Sequence, residues 1–202
     1  MLKVYHAPET RSVRILWLLE ELGLQYEVEK HALGNPSMRS PEYLAKHPLG
    51  RVPALEDGDI ILYESGAIVQ YILERHAAGR LMPARESADY AAALQWIHFA
   101  EGMLMPPVNT IVVETLLLSP ERRNETNVKR ATKLLTNMLG AVEQALEGRD
   151  YLAGDFSAAE ITTGHATMAA VRFGGDASDK PNIQAYIKRL ETRDALIKAR
   201  SI

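Results

Sequence analysis

The hydrophobic pattern of this chain changes near residue 80, and this change constrains the fold more than any other feature of the sequence. Residues 1–79 mix short alternating runs, which are typical of strands, with apolar residues at helical spacing. From residue 87 to residue 202 the apolar residues keep the i, i+3 and i+4 spacing of helices almost throughout. We therefore expect an α/β domain over residues 1–79 and an all-helical domain over residues 87–202.

The first domain is predicted to follow the order βαβαββα. We expect strands at 2–6, 26–30, 52–56 and 59–62, and helices at 11–23, at 41–47 and from residue 65 onward. Asp57 and Gly58 stand between the last two apolar runs, and this dipeptide is one of the strongest hairpin signals in a sequence. Ser65 is expected to cap the helix that follows, because its hydroxyl can accept from the free N–H groups of a first turn.

The helical half carries its own start and stop signals. The proline pair at 106–107 is expected to kink or end the first helix of this half, and Ser119 followed by a proline is expected to start another. Apolar residues from Val128 to Ala145 keep helical spacing for five turns. Ser157 and Glu160 have the spacing of a capping box, which predicts a further helix start.

Composition excludes several classes of protein. The chain has no cysteine, so it offers no disulfide, thiolate metal site or protein-borne thiol nucleophile. The balance of 23 Lys and Arg against 26 Asp and Glu, without a basic block, argues against a nucleic-acid partner. No apolar run approaches a membrane span of about 20 residues, and no signal peptide is visible, so we expect a cytoplasmic protein without a membrane partner. No metal-ligand spacing is present, and no metal is expected.

Three short segments of the first domain carry candidate chemistry, because the predicted order brings them to one edge of the sheet. The first is the turn before the first helix, where Thr10 and Ser12 place hydroxyls among N–H groups that favour an anion. The second is Arg51, Val52 and Pro53. A cis bond before the proline would turn the Val52 backbone outward to pair with an extended peptide, and the arginine can pair with a carboxylate.

The third segment is Glu64 and Ser65, at the start of the last predicted helix of this domain. A capping hydroxyl with helix N–H groups behind it can hold a carboxylate, while the glutamate can hold an ammonium. A group bearing both charges, such as an α-amino acid head, fits this pair. Taken singly, each of the three segments also fits an ordinary capped helix, a trans proline or a solvated arginine.

Together, in this order and on this pattern, the segments resemble the cytosolic glutathione transferases, in which a thioredoxin-like domain precedes an all-helical domain. The resemblance is carried by YHAPETRSVRILWLLEELG from residue 5, HPLGRVPAL from residue 47, LYESGAIVQY from residue 62, QWIHFAEGMLMPPV from residue 95 and GDFSAAEI from residue 154. It implies an α/β plus all-α protein that uses glutathione as its co-substrate, so the reacting sulfur comes from the ligand.

The resemblance also implies which residues bind glutathione. The cysteinyl backbone would pair with Val52 beside a cis Pro53, and the γ-glutamyl head would be held by Glu64 and Ser65. Arg51 would face the glycyl carboxylate. Arg11 is placed with the glutathione-binding residues as well.

A hydroxyl near the start of the first helix would donate to the glutathione sulfur and lower the pKa of its thiol. The best match to the family pattern is Thr10, with Ser12 second and Tyr5 third. Glu9 departs from the family pattern, in which small residues are common at this position. A carboxylate beside a thiolate raises the pKa of the thiol unless a neighbouring arginine neutralises it.

In the helical domain, the resemblance implies that His98, Met103 and Met105 contribute to the site for an apolar electrophile. It also implies a homodimer and a role either in detoxification or in a dedicated catabolic step. The alternatives within this fold are a protein that binds glutathione or apolar ligands without turnover, and a glutathione-dependent peroxidase, isomerase or dehalogenase. Outside the family, the alternative is an interaction module whose helical half docks a partner.

Overall fold

The computed structural model describes all of residues 1–202. Its contacts divide the chain into two compact units. The first unit comprises Met1–Leu81 together with Thr192–Ile202, and the second comprises Met82–Glu191. These units describe packing, and the domain bounds of 1–79 and 87–202 stay a prediction.

The first unit is built on a four-stranded mixed sheet. Its strands are β1 (Leu2–His6), β2 (Tyr26–Lys30), β3 (Ala54–Asp57) and β4 (Ile60–Tyr63), in the spatial order β2-β1-β3-β4. Strand β1 runs parallel to β2 and antiparallel to β3, and β4 returns antiparallel to β3. Helices α1 (Ser12–Leu22), α2 (Pro41–Leu44) and α3 (Ser65–His76) alternate with these strands along the chain. The predicted thioredoxin-like order βαβαββα is therefore confirmed.

Two boundaries in this unit differ from the sequence-based prediction. Strand β3 begins after Pro53, two residues later than expected, because proline has no N–H to donate to a ladder. Asp57 pairs with Ile60, so the hairpin turn consists of Gly58 and Asp59. Gly58 has φ +61°, a left-handed conformation that favours glycine.

The second unit contains only helices. They are α4 (Ala88–Phe99), α5 (Met105–Val112), α6 (Glu125–Ala145), α7 (His165–Arg172) and α8 (Pro181–Glu191). Three π-helical turns, Ala100–Leu104, Val113–Leu117 and Glu160–Gly164, join or extend them. None of the helices in the structure is both long and apolar enough to cross a membrane.

Two start and stop signals of this unit act differently from the prediction. The proline pair lies in the first turn of α5, and the interruption is the π-helical turn just before it. Ser119 starts only a short 3₁₀ turn, Pro120–Arg122. Helix α6 begins at Glu125 instead, because the Asn124 side chain accepts from the N–H of Thr126 at 2.9 Å and caps the helix there.

The predicted capping box is present. The Ser157 hydroxyl accepts from the N–H of Ala159 at 3.2 Å, and the Glu160 carboxylate accepts from the N–H of Ser157 at 2.8 Å. A continuous helix over residues 158–172 follows.

Helix α1 forms the centre of the first unit. Its residues from Val13 to Leu19 are all buried, which explains why the sequence is apolar nearly all round this helix. Helix α9 (Asp194–Ser201) packs against α1 and ends the chain. Arg193 forms a two-pronged ion pair with Glu21, with distances of 2.6 and 2.7 Å, which fixes the start of α9 on α1.

Candidate active site

The three predicted segments lie at one edge of the sheet in the first unit. Tyr5 on β1 pairs with Ala54 on β3, and Ala54 pairs with Tyr63 on β4. Because these strands are antiparallel in turn, the chain leaving β1, the chain entering β3 and the chain leaving β4 share this edge. The turn at residues 7–12, the segment 51–53 and the pair at 64–65 are thereby brought together, as the sequence predicted.

The turn between β1 and α1 holds two hydroxyls in one hydrogen-bond cluster. Thr10 Oγ1 donates to the carbonyl of Ala7 at 2.7 Å and lies 2.7 Å from Ser12 Oγ. Ser12 Oγ accepts from the N–H of Ala7 at 3.2 Å. Ser12 is buried, while Thr10 is half-buried. Of the two hydroxyls, that of Thr10 is therefore the more accessible to a ligand.

The start of α1 has no side-chain cap. Arg11 occupies the N-cap position in a helical conformation, and its side chain accepts no hydrogen bond from the first turn. The N–H groups of Ser12, Val13 and Arg14 have acceptors within the turn, at 3.3, 3.1 and 3.1 Å, and the positive end of the helix dipole favours an anion at this point. The half-buried Arg11 adds a positive charge to the same turn.

His6, at the end of β1, belongs to this cluster. Its Nδ1 lies 2.8 Å from Ser12 Oγ, and the side chain is only 1% exposed. Burial, together with the charge of Lys30 opposite it on β2, lowers the pKa of His6 from 6.5 to about 4. His6 is therefore neutral at neutral pH and carries a single ring proton.

The second segment, residues 51–53, is held in place by Tyr43 of α2 and by the close approach of Gly50 to Met38. The bond between Val52 and Pro53 is cis, as the sequence suggested. The Tyr43 hydroxyl donates to the carbonyl of Arg51 at 2.6 Å, and Val52 packs against a cluster that includes Tyr43. At Gly50 a Cβ would lie 2.3 Å from the carbonyl oxygen of Met38, so only glycine fits there.

Arg51 and Glu64 are brought close to the same histidine, His47. Burial and the charge of Arg51 lower the pKa of His47, while the charge of Glu64 opposes this effect. Both charged side chains are exposed. Exposed charges of opposite sign that flank one edge are suited to a ligand that itself carries both charges.

Ser65 does not cap α3 in the way the sequence predicted. Glu64 takes the N-cap position, with φ at 76°, and Ser65 is the first helical residue. The Ser65 hydroxyl is buried and accepts from Nη1 of Arg14, which is fully buried in α1, at 3.1 Å. This bond fixes the start of α3 to α1, and it leaves the backbone N–H groups of the first turn of α3 available.

The Tyr5 hydroxyl is directed elsewhere. It donates to Oε1 of Glu56 at 2.8 Å, and Glu56 also pairs with Lys46. Burial, followed by the bond to Glu56, raises the pKa of Tyr5 to about 12. The structure thus gives Tyr5 a partner on β3, whereas Thr10 and Ser12 remain in the turn at the edge.

The residues predicted for the electrophile lie in the second unit. His98, on α4, and Met103, in the following π-helical turn, are exposed, and Met103 retains 43% of its accessible surface. Met105 is 6% exposed and packs in the interior of this unit. No group of three or more His, Asp or Glu side chains that could hold a metal ion occurs in the structure.

Three residues of the site had no role in the sequence analysis: His6, Arg14 and His47. His6 follows the period-2 pattern of β1, and that pattern indicates only a place in the strand. Arg14 interrupts an apolar helix, and a charged residue inside a helix buried on all sides is the signal that points to a buried partner. His47 lies inside the segment HPLGRVPAL, but spacing alone does not indicate that its ring lies near Arg51 and Glu64.

The fold defines a class: a thioredoxin-like domain followed along the chain by an all-helical domain. Two family models match the chain, one described as the glutathione S-transferase N-terminal domain at residues 1–74 and one as the C-terminal domain at residues 104–194.

Individual relatives agree with these matches. Glutathione S-transferase 4 of Zea mays is 34% identical over 188 residues, which cover 90% of this chain and 83% of the relative. Glutathione S-transferase 3 of Zea mays is 30% identical over 208 residues, which cover 98% and 92%. The chain therefore belongs to the glutathione S-transferase family.

Solved structures show the same fold. A glutathione transferase from Burkholderia graminis, crystallised with two glutathione molecules per subunit, has a TM-score of 0.89 at 27% identity, over 99% of this chain and 87% of that chain. Glutathione transferase F7 from Populus trichocarpa has a TM-score of 0.84 at 27% identity, over 100% of this chain and 98% of that chain.

Proposed function

We propose that the protein is a glutathione transferase that conjugates the thiolate of glutathione to small apolar electrophiles. The observation that carries this proposal is the position of the Thr10 hydroxyl. It lies half-buried at the start of α1, on the same edge as Val52, Pro53 and Glu64. An extended tripeptide on this edge has donors and acceptors along its length and a hydroxyl near its sulfur.

Each part of glutathione has a complementary group in this proposal. The backbone of Val52 pairs with the cysteinyl residue beside Pro53, and Arg51 faces the glycyl carboxylate. Glu64 holds the γ-glutamyl ammonium, while the free N–H groups behind Ser65 hold its carboxylate. The charges that Arg51 and Glu64 place around His47 support this assignment.

Thiol activation is assigned first to Thr10, then to Ser12. A free thiol of this kind has a pKa of about 8.5, and only its thiolate is a strong nucleophile. A hydrogen bond from Thr10, the dipole of α1 and the charge of Arg11 all stabilise the thiolate and lower that pKa. The thiol proton is lost to solvent, the sulfur then attacks the electrophilic carbon, a C–S bond forms, and the leaving group departs with its electron pair.

The electrophile itself is assigned only by class. His98, Met103 and Met105 are the residues proposed for it in the helical domain, and methionine suits varied apolar molecules because it is flexible and polarizable. We further propose that the protein is cytoplasmic and forms a homodimer. Light scattering on the purified protein would test the oligomeric state.

The experiment has two stages. Retention on immobilised glutathione tests binding, and the formation of a thioether with a chromogenic aryl halide tests turnover. Thr10→Ala is expected to lower kcat by about 100-fold, the scale of losing one donor to a developing or stabilised anion. Thr10→Ser, which keeps the hydroxyl, is expected to recover much of that loss.

The outcomes separate the alternatives. Retention without turnover favours a binding protein of the same fold, and no retention favours an interaction module. An unaltered rate in Thr10→Ala removes Thr10 from the catalytic role and moves that role to Ser12 or Tyr5.

A further inference from the structure

The hydroxyl cluster at the start of α1 includes His6, which has no role in the proposed reaction. His6 Nδ1, Ser12 Oγ and Thr10 Oγ1 form a chain with successive distances of 2.8 and 2.7 Å. His6 is buried, Ser12 is buried, and Thr10 is half-buried. The chain therefore runs from the interior of the unit to the position proposed for the glutathione sulfur.

The hydroxyl protons of this chain can point in either of two directions, and only one of them leaves a proton for a ligand. Ser12 has one hydroxyl proton and three acceptors within reach: Thr10 Oγ1 at 2.7 Å, His6 Nδ1 at 2.8 Å and the Ala7 carbonyl at 3.1 Å. Thr10 also has one proton, and its protein acceptors are Ser12 and the Ala7 carbonyl. If Ser12 donates to His6, then the Thr10 proton is drawn inward to Ser12 or Ala7. If Ser12 donates to Thr10, the Thr10 proton can turn to a ligand.

The surroundings of the ring decide between these two directions. His6 Nε2 is buried and has no hydrogen-bond partner. A proton on Nε2 would be a buried donor without an acceptor, which is rare in proteins, whereas an unpaired acceptor is tolerated more often. The neutral ring therefore carries its proton on Nδ1, and at 2.8 Å this N–H donates to Ser12 Oγ.

We propose that His6 is a positioning residue for the thiol-activating hydroxyl: its Nδ1–H donates to Ser12, Ser12 donates to Thr10, and the Thr10 proton is left for the glutathione sulfur. This inference rests on the proposed function, in which Thr10 is that hydroxyl. In the absence of glutathione, Thr10 donates to the Ala7 carbonyl. A thiolate replaces that acceptor because a hydrogen bond to a charged group is stronger than one to a neutral carbonyl.

The first test reads the ring directly and does not depend on activity. Nitrogen chemical shifts and two-bond proton couplings of ¹⁵N-labelled histidine distinguish the Nδ1–H from the Nε2–H form. The His6 signal among the six histidines is identified by its absence in His6→Asn. We expect the Nδ1–H form at neutral pH in the free protein. An Nε2–H form would overturn the proposal, whatever the enzyme catalyses.

The second test compares two replacements of similar shape. In His6→Asn, the amide nitrogen lies where Nδ1 was and can still donate to Ser12. In His6→Phe, the flat ring remains without any donor. We expect His6→Phe to raise the pKa of the bound thiol by about one unit, which lowers the thiolate fraction and kcat at neutral pH about tenfold. KM for glutathione should change much less, and His6→Asn should recover most of the lost rate.

The measurements are the ultraviolet absorbance of the bound thiolate as a function of pH, kcat and KM, and circular dichroism to show that each variant is folded. Equal losses in the Phe and Asn variants, or a loss confined to KM, would contradict the proposal.

A double variant separates this proposal from the function on which it rests. If Thr10 is the last member of the chain, His6→Phe should have little further effect on kcat in a Thr10→Ala background. If Thr10→Ala has full activity, the proposed role of Thr10 is wrong. If Thr10→Ala is impaired but His6→Phe is not, only the role of His6 is wrong.

Discussion

Two helix starts in this protein carry hydroxyl side chains that serve different purposes. At Ser157 in the second unit, the hydroxyl accepts from the N–H of Ala159 and donates to Glu160 at 2.9 Å. At the start of α1 in the first unit, the hydroxyls of Thr10 and Ser12 lie close to each other, to a carbonyl and to His6. At the first start a hydroxyl and a carboxylate each accept from an N–H group, whereas at the second the N-cap residue makes no side-chain cap and only Thr10 Oγ1 accepts, from the N–H of Ser12 at 3.3 Å.

The difference shows how to tell a structural hydroxyl from a functional one. In the capping box, one carboxylate accepts from two N–H groups and one O–H, so every polar group has a partner and no proton is left for a ligand. In the turn before α1, two hydroxyl protons have several alternative acceptors, so one of them can turn to a ligand. A closed set of hydrogen bonds stabilises the fold, while an open set can serve a ligand.

Glu160 is the centre of the hydrogen bonds at the helix start in the second unit, so its removal should have the largest effect on stability. It is fully buried, and its oxygens accept from the N–H groups of Leu152 and Ser157, each at 2.8 Å. Glu160→Ala would leave both donors buried without a partner, so we expect a loss of about 4 kcal/mol in the free energy of unfolding. Denaturant unfolding followed by circular dichroism measures this loss.

Ser157→Ala is the matched control for Glu160→Ala. It removes one hydroxyl and keeps the carboxylate, so the expected loss is about 1 kcal/mol. Thr10→Ala, at the other helix start, should also cost no more than about 1 kcal/mol while it lowers kcat. If Glu160→Ala were no more destabilising than Ser157→Ala, the carboxylate would not be the centre of the capping box.

The hydroxyl cluster of Thr10, Ser12 and His6 should make the free energy of unfolding depend on pH, because His6 titrates. Its pKa is lowered from 6.5 to about 4 in the folded protein, so between these values the unfolded chain binds a proton that the folded chain does not. The contribution of His6 is present above pH 6.5 and is lost as the pH falls toward 4. The full loss is about 3 kcal/mol.

Comparison with His6→Asn isolates this contribution, because asparagine does not titrate. The difference in unfolding free energy between the wild type and the variant should shift by about 3 kcal/mol between pH 7 and pH 4, in favour of the variant at low pH. Urea unfolding at a series of pH values measures it. Parallel curves over this range would mean that His6 takes up its proton at the same pH in the folded protein as in the unfolded chain, so that burial does not lower its pKa.

Local patterns in the sequence predict most of the fold of this protein. The order βαβαββα, the hairpin and the capping box at Ser157 were all predictable, because each depends on local residue types and spacing. The predicted start of α6 at Ser119 was wrong, because Asn124 caps the helix instead. Asn124 is held by a second hydrogen bond, in which its N–H donates to Glu114 at 2.8 Å. Such a contact between separate segments leaves no local pattern.

For the site, the sequence predicted which segments meet but not how their side chains connect. The edge at residues 10, 52 and 64 follows from strand order. The bond from Arg14 to Ser65 joins residues 51 positions apart, and it makes Ser65 an acceptor for a guanidinium instead of a helix cap. The role of His6 depends on a ring nitrogen that lacks a partner, which is a property of packing and cannot be read from one sequence.

The smallest expected effect concerns Glu9, the carboxylate next to Thr10. At the capping box the carboxylate is buried and binds the helix start, whereas Glu9 is exposed and has φ at 61°. An exposed negative charge beside the proposed thiolate raises the pKa of the thiol. Glu9→Gln keeps the shape of the side chain and removes its charge, so it should lower the pKa of the bound thiol by on the order of half a unit.

Titration of the thiolate absorbance in the glutathione complex measures this shift, which should shrink as salt is added because exposed charges are screened. Asp59→Asn is the control: it removes an exposed charge from the hairpin turn at the opposite end of β3 and β4. The two variants should therefore differ in the thiol pKa but not in net charge. A shift of equal size in both variants would mean that Glu9 acts only through the overall charge of the protein. The pKa of the bound thiol would then depend locally on the hydroxyl cluster and the helix dipole alone.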